Sequence, residues 1–292
     1  MTLNKKKKDV NKITILTINY NVAKNLNKLI DSLILIDPII DEIIVIDNNS
    51  VDSKEIIKTN KTKIILNKSN LGFAKAVNQG IKIAKSNYIL LINPDCYIEN
   101  TTILKTFKLI ISDKKIGAIG GKIKKPNTNE YQQTANSKIE FLTGIFEFTN
   151  FKKIFKNNYF SKKFWIDTTN ITNPIQVESL CGAYIIIRKK LNNKLNLFDE
   201  RYFLYMEDVD FGNKINRLGY KVIYDPQSEI THIGGKSSKS KYNIVLKAWY
   251  KSRILYFQKH FNYLQSSLLT LIFTIEEYIL ILMHKIKNEP TV

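Results

Sequence analysis

The chain has 292 residues, 44% of them hydrophobic, which suffices for one large α/β domain with an appendage, or two modest domains, and excludes wholesale disorder. Its formal charge of +19, Lys+Arg 45 against Asp+Glu 26, fits an anionic ligand, an anionic membrane surface or a drift of composition toward Lys, Asn and Ile. No nucleic-acid module is visible, so no nucleic-acid partner is expected, and two cysteines, Cys96 and Cys181, exclude a disulfide framework and fit a reducing, cytoplasmic setting.

Residues 1–12 read as a basic tail without the apolar stretch of a signal peptide. Residues 13–18 read as a strand, after which Val22, Ala23, Leu26, Leu29, Ile30 and Leu33 recur at helical spacing. Residues 43–46 form a second buried strand that ends in Asp47-Asn48-Asn49-Ser50; a short helix is expected over 53–59 and a third strand over 64–66. Phe73, Ala76, Val77, Gly80, Ile81 and Ala84 make the next helical stripe. The uninterrupted apolar run over 88–92 then reads as a strand buried on both faces. It must stop at Pro94, which has no N–H for the ladder. Asp95 is thereby placed at the carboxyl end of a core strand, the edge at which open α/β sheets bind ligands. Strand and helix alternate throughout this half, which implies right-handed crossovers and a mostly parallel central sheet flanked by helices.

The second half is less regular. A helix over 103–111 leads to a glycine-interrupted strand over 116–123. Residues 124–173 lack a sustained period and read as loops and short helices able to cover a substrate. A strand follows around 184–187, then a helix over 207–218 closed by Gly219, a strand over 220–224 and a glycine-containing loop over 232–238. From 242 onward the chain reads as helical. The apolar segment 268–283 carries Glu276 and Glu277 in its middle. Inserting each costs roughly 2.5–3.5 kcal/mol, which about a dozen apolar side chains at roughly −0.3 to −0.6 kcal/mol would only balance. A helix lying on a membrane or packed on the domain is therefore expected over a span.

Several side chains have the chemistry of a site. Asp47 can accept bonds from a ribose or base edge, or cap the turn that follows it. The glycine-rich dinucleotide fingerprint and the P-loop are both absent, which counts against hydride transfer and Walker-type hydrolysis. Asn70-Leu71-Gly72-Phe73-Ala74 opens a helix whose free N–H groups form either an anion site or a simple helix start. Glu207-Asp208 follows Tyr202-Phe203-Leu204-Tyr205 and suits a helix cap or a general base. His232 precedes two glycines and is a candidate metal ligand.

In order along the chain, Asn19-Tyr20-Asn21, Asp47-Asn48-Asn49-Ser50-Val51-Asp52, Asn70-Leu71-Gly72-Phe73-Ala74, Asn93-Pro94-Asp95, Cys181-Gly182-Ala183, Glu207-Asp208-Val209-Asp210 and His232-Ile233-Gly234-Gly235 resemble the family 2 glycosyltransferases, especially the rhamnosyltransferase-like branch. The resemblance covers 13–238 and implies a GT-A (Rossmann-like) catalytic domain there, while the helical C-terminal region over 239–292 suits, by its apolar helix, association with a membrane. It implies inverting transfer of rhamnose or a similar hexose from a nucleotide-diphosphate donor, deoxythymidine-diphosphate-rhamnose or a UDP-sugar. The acceptor is a glycan or lipid-linked saccharide in cell-surface polysaccharide synthesis, on the cytoplasmic face of the membrane. By the same resemblance Asn19, Tyr20, Asp47 and Asn49 line the nucleoside pocket, and Gly72, Phe73 and Asn78 lie near the nucleotide or sugar. Asp95 binds Mg²⁺ or Mn²⁺ with His232, Asp208 is the base, and Gly182, Ala183 and Glu207 face the acceptor. The chain departs from the family at Asn93, which replaces an acid and leaves a catalytically impaired nucleotide-sugar binder or scaffold as the alternative.

Overall fold

The computed structural model describes residues 12–234 and 242–288. The basic tail up to residue 11 and the loop residues from Gly235 to Ser238 lie outside the described residues. The first four apolar runs are strands, β1 (Ile13–Asn19), β2 (Ile40–Asp47), β3 (Thr62–Leu66) and β4 (Tyr88–Ile92). They lie parallel in the order β3-β2-β1-β4. The helices α1 (Ala23–Ser32) and α2 (Phe73–Ile83) lie in the connections. The chain winds outward from β1 and returns to its other side, so a crevice opens between the carboxyl ends of β1 and β4. The helix expected over 53–59 is a single 3-10 turn, Ser53–Glu55. Its segment buries little apolar surface beyond Ile56, and Asp52 turns back to accept the Ala23 N–H at the start of α1 (2.8 Å).

Beyond β4 the sheet changes character. β5 (Cys96–Tyr97), α3 (Ile103–Ser112) and β6 (Ile116–Lys124) are followed by β7 (Ala135–Asn136), which pairs with β9 (Ser179–Leu180). β8 (Ile175–Val177), β10 (Tyr184–Arg188), the small ladder of β11 (Lys190–Leu191) with β12 (Lys194–Leu195), and β13 (Lys221–His232) complete the strands. The main sheet has nine strands, ordered β3-β2-β1-β4-β10-β6-β13-β5, with β8 paired to β13. β10 runs antiparallel to both β4 and β6, so the sheet is mixed rather than mostly parallel. A doubly buried run such as Tyr184-Ile185-Ile186-Ile187 reads the same in either direction, which is why its orientation is invisible in the sequence. β13 continues past the expected stop because a register shift between Asp225 and Glu229 absorbs Pro226.

Alternate residues along the strands feed two cores. Ile13, Ile15, Val45, Leu90 and Ile92 pack under α1 and α3 through Leu26, Leu29, Phe107 and Ile110. Leu16, Ile18, Ile46, Ile89 and Leu91 face α2 and α7 (Glu207–Arg217) through Val77, Ile81, Phe211 and Ile215. Burying each such side chain contributes about 1.5–3 kcal/mol. The second core continues into α8 (Tyr242–His260) and α9 (Tyr263–Asn288) through Phe257, Leu269 and Phe273. Between β7 and β8 lie α4 (Phe141–Phe146), α5 (Phe151–Ile154) and α6 (Tyr159–Phe164). This segment packs on α8 through Phe148 against Trp249 and Phe257, and does not cover the crevice as the sequence suggests. Gly219 closes α7 in the left-handed conformation (φ 80°), as expected.

Candidate functional site

A cleft of about 480 Å³ lies at the switch point, between the ends of β1 and β4 and under the start of α8. Its floor contains the Asn93-Pro94-Asp95-Cys96 turn, closed by the Cys96 N–H donating to Asn93 O (3.1 Å). Antiparallel pairing of β5 with β13 sets His232 opposite Cys96. The neighbouring Asp95 carboxylate therefore meets the His232 ring, with Oδ1 3.1 Å from Nε2. Oδ2 accepts the Gly234 N–H at 3.1 Å. Burial opposes ionisation of Asp95, but the hydrogen bond and charge that the His232 ring supplies when protonated, with the backbone N–H groups, outweigh it and hold the carboxyl below its ordinary range.

Gln132 determines which nitrogen of the neutral His232 ring carries the hydrogen. Its Nε2 donates to the His232 carbonyl (3.2 Å), so its Oε1, 3.0 Å from Nδ1, must accept the Nδ1–H. In the neutral ring Nε2 then carries a lone pair aimed at a carboxylate oxygen. Two acceptors at that distance need a proton or a cation between them, and this donor set fits a divalent cation. Cys96 has its sulfur in the same cluster, within 4.8 Å of the Asp95 and His232 donor atoms. It does not suit a hard cation: the buried thiol donates to Ala183 O (3.6 Å), and burial pushes its pKa far above the usual thiol range.

The opposite wall is built differently. Asp208 accepts the Gly182 N–H on Oδ2 (2.9 Å) and the Val209 N–H on Oδ1 (2.8 Å). Glu207 beside it is 6% exposed, and its Oε2 has no partner among the described residues. Burial pushes both carboxyl groups up; the Asp208 charge pushes Glu207 further, to about 8. The backbone donors favour the Asp208 anion, so Asp208 ionises first and Glu207 keeps its proton. The chain reaches α7 through two left-handed residues, Tyr205 (φ 70°) and Met206 (φ 63°). Such residues cost on the order of 1–3 kcal/mol each and persist only where the surroundings hold them. Here Ser252 Oγ donates to Leu204 O (2.8 Å), the Tyr205 ring meets Trp249 edge-on at 5.0 Å, and Asn78 clamps Phe198 through both its N–H and its carbonyl. The Cys181-Gly182-Ala183 segment joins the two walls, because Ala183 O accepts the Asn93 N–H (3.0 Å) while Gly182 donates to Asp208.

Residues 14–195 match glycosyl transferase family 2, well over half of the chain. The chain belongs to that family. It is 22% identical over 258 residues to an N-acetylglucosaminyl-diphospho-decaprenol L-rhamnosyltransferase of Mycobacterium tuberculosis, covering 84% of this chain and 83% of the relative. It is 22% identical over 187 residues to the rhamnosyltransferase WbbL of Escherichia coli, covering 62% and 65%. Among solved structures, GalNAc-T7 with UDP, GalNAc and Mn²⁺ superposes with a TM-score of 0.59 at 16% identity, over 85% of this chain and 48% of that one. The mannosyltransferase PcManGT from Pyrobaculum calidifontis, in complex with GDP-Man and Mn²⁺, gives 0.53 at 14% identity, over 85% and 63%. The fold is GT-A, and the protein is a glycosyltransferase.

Of the glycosyltransferase residues expected from sequence, Tyr20, Gly72, Phe73, Asn93, Asp95, Gly182, Ala183, Glu207, Asp208 and His232 line the cleft. Asn19, Asp47, Asn49 and Asn78 do not. Asn19 Nδ2 donates to Asp47 Oδ2 (2.7 Å), and Asp47 Oδ1 accepts the Ser50 N–H (2.9 Å), so this pair ties the ends of β1 and β2 together. Asn49 is exposed and supplies a left-handed turn residue (φ 64°). Asn78 is the clamp on Phe198. At this end the cleft is lined instead by Asn48, which donates to Gly72 O (3.2 Å), and by Asn70, which accepts the Gly72 N–H (2.9 Å). Gly72 itself (φ 85°) has no room for a side chain, since a Cβ would lie 2.6 Å from Phe203 O. Gln132 and the α8 wall of Ile244, Val245 and Ala248 escaped the sequence reading; neither carries a local signal.

Proposed function

We propose that this glycosyltransferase moves rhamnose or a similar hexose, with inversion, from a nucleotide-diphosphate donor to a saccharide or lipid-linked saccharide acceptor, in cell-surface polysaccharide synthesis on the cytoplasmic face. The observation that carries the reading is that Asp208 and the Asp95–His232 pair open into one cleft, joined by the Cys181-Gly182-Ala183 segment. The catalytic unit proposed is 13–238, with 239–292 as its helical extension. Two relatives named as rhamnosyltransferases and structures holding UDP or GDP-Man with Mn²⁺ support it.

Asp208 takes the proton of the acceptor hydroxyl as that oxygen attacks the anomeric carbon. The new C–O bond forms on the face opposite the nucleotide diphosphate, and the old bond breaks with its electron pair leaving on the diphosphate. Asp95 and His232 would hold Mg²⁺ or Mn²⁺ beside the diphosphate, with Gln132 orienting the ring and Asn93 contributing no charge. Such a cation, when bound, supplies positive charge to the departing phosphate oxygens. Glu207, kept neutral, offers an O–H donor to the acceptor sugar.

Thermal shift against a panel of nucleotide-sugars with and without Mn²⁺, followed by transfer to a polyprenyl-diphosphate N-acetylglucosamine, tests the reading. A donor at about 100 times its Kd should stabilise the fold by about 2.7 kcal/mol. If no nucleotide-sugar raises the melting temperature, the reading fails. Stabilisation without transfer to any acceptor would favour the impaired binder.

A further inference from the structure

α9 carries two apolar stripes where a helix on a soluble domain needs one. The inner stripe, Leu269 and Phe273, is fully buried against α8 and the domain. The outer stripe, Leu264, Leu268, Leu271, Ile275, Ile279 and Leu282, follows the helical repeat and is 46–79% exposed. The apolar stretch Tyr263–Met283 is long enough to cross a bilayer, with a mean hydropathy of 1.7 and 17% of it buried. Its attachment argues against crossing. The Glu276 carboxylate accepts the Asn150 N–H (2.8 Å) and the Tyr250 hydroxyl (3.3 Å). On the same side the Arg253 guanidinium lies over Phe273 at 4.7 Å. Insertion would strip all of these from the domain.

Asn150 also begins α5, so the α5–α6 segment adjoins the helix at Glu276. This segment exposes Phe151, Ile154, Phe155 and Tyr159 among lysines. Lys152 and Lys163 pair with Glu147 and Glu140, whereas Lys153, Lys156 and Lys162 are exposed and make no ion pair among the described residues. Apolar and aromatic side chains interleaved with unpaired lysines are complementary to one kind of surface, acyl chains under anionic headgroups.

We propose that the outer face of α9 and the exposed side of α5–α6 form one docking surface, on which the protein lies in the plane of an anionic bilayer without crossing it. The surface is built apart from the cleft, and the proposal does not depend on the sugar-transfer reading. It has a consequence for that reading, because α8 packs on α9 and also forms one wall of the cleft, so docking would hold the cleft near the headgroups.

Co-sedimentation with vesicles tests it, using phosphatidylcholine alone and equal parts phosphatidylcholine and phosphatidylglycerol. The full-length protein should bind the anionic vesicles at least tenfold more tightly. Leu271→Glu/Ile275→Glu should lose at least tenfold, and Lys153→Glu/Lys156→Glu several-fold with a flatter salt dependence. All four positions are exposed, and thermal melts check that the variants fold. Donor-induced thermal shift on the same preparations separates the two readings: vesicle binding lost with donor binding intact concerns this surface alone. Three results would overturn the proposal. One is no binding of the wild type to anionic vesicles. Another is a dimer in solution that Leu271→Glu/Ile275→Glu dissociates, which makes the occupant a second copy. The third is release from cell membranes only by detergent, not by salt or alkaline carbonate, which means a span.

Discussion

The two walls of the cleft hold carboxylates of the same kind in opposite electrostatic states. At the Asp95 wall a histidine ring and backbone N–H groups overcome burial and hold the acid ionised. At the Asp208 wall no cation among the described residues answers the two buried carboxyl groups, and both are pushed up. The contrast teaches that position in one cleft does not set the role of an acid; its partners do. A charge-holding wall suits a phosphate-bound cation, whereas a base has to be able to accept a proton.

The sharpest way to break this contrast is to remove the proposed base. Asp208→Asn should lower turnover by about 10²- to 10⁴-fold while donor-induced stabilisation persists. Wild-type turnover in that variant would take the base role from Asp208. Next in size is the orientation of His232. Gln132→Leu should weaken Mn²⁺ binding in the presence of nucleoside diphosphate by about 10- to 100-fold, read by calorimetry or manganese EPR. Unchanged affinity would mean that the ring is positioned without Gln132.

Smaller effects report on Glu207. If it works as a neutral acid, Glu207→Gln should retain turnover within a few-fold, since the amide keeps a donor of similar shape. In the wild type, turnover should fall on acidification at a pH above the ordinary carboxylate range if Asp208 is the base, since a base must be ionised to act. The smallest effect is on stability. The pKa of Glu207 is raised from 4.5, so its contribution is full below that value and is lost as pH rises through about 8. Glu207→Gln should remove that part of the alkaline decline in melting temperature. Asp95 has the opposite sign: its contribution is present above 3.8 and lost only as pH falls through its lower folded-state value.

The frame of this site was legible where local pattern suffices. The run from Tyr88 to Ile92 ending at Pro94 placed Asp95, and the polar start of α7 placed Glu207 and Asp208. What depended on partners distant in sequence was not legible. Gln132 reaches His232 across 100 residues, and Asn78 reaches Phe198 across 120. The strained Tyr205-Met206 step carries no glycine to announce it. Asp47 shows the same limit: its bond to Asn19 ties the ends of two strands together across 28 residues, and no local pattern announces it.

The placement of β10 bears on how the molecule is made. β4 and β6 are complete by Lys124, but the strand that belongs between them begins at Tyr184. At roughly 5–20 residues per second, a ribosome takes several seconds to supply it. Through that interval Tyr88–Ile92, apolar on both faces, presents an open ladder edge on the side β10 will take, which is a template for pairing with another chain. The nascent N-terminal half therefore passes through a window of aggregation risk that closes only when β10 zips in.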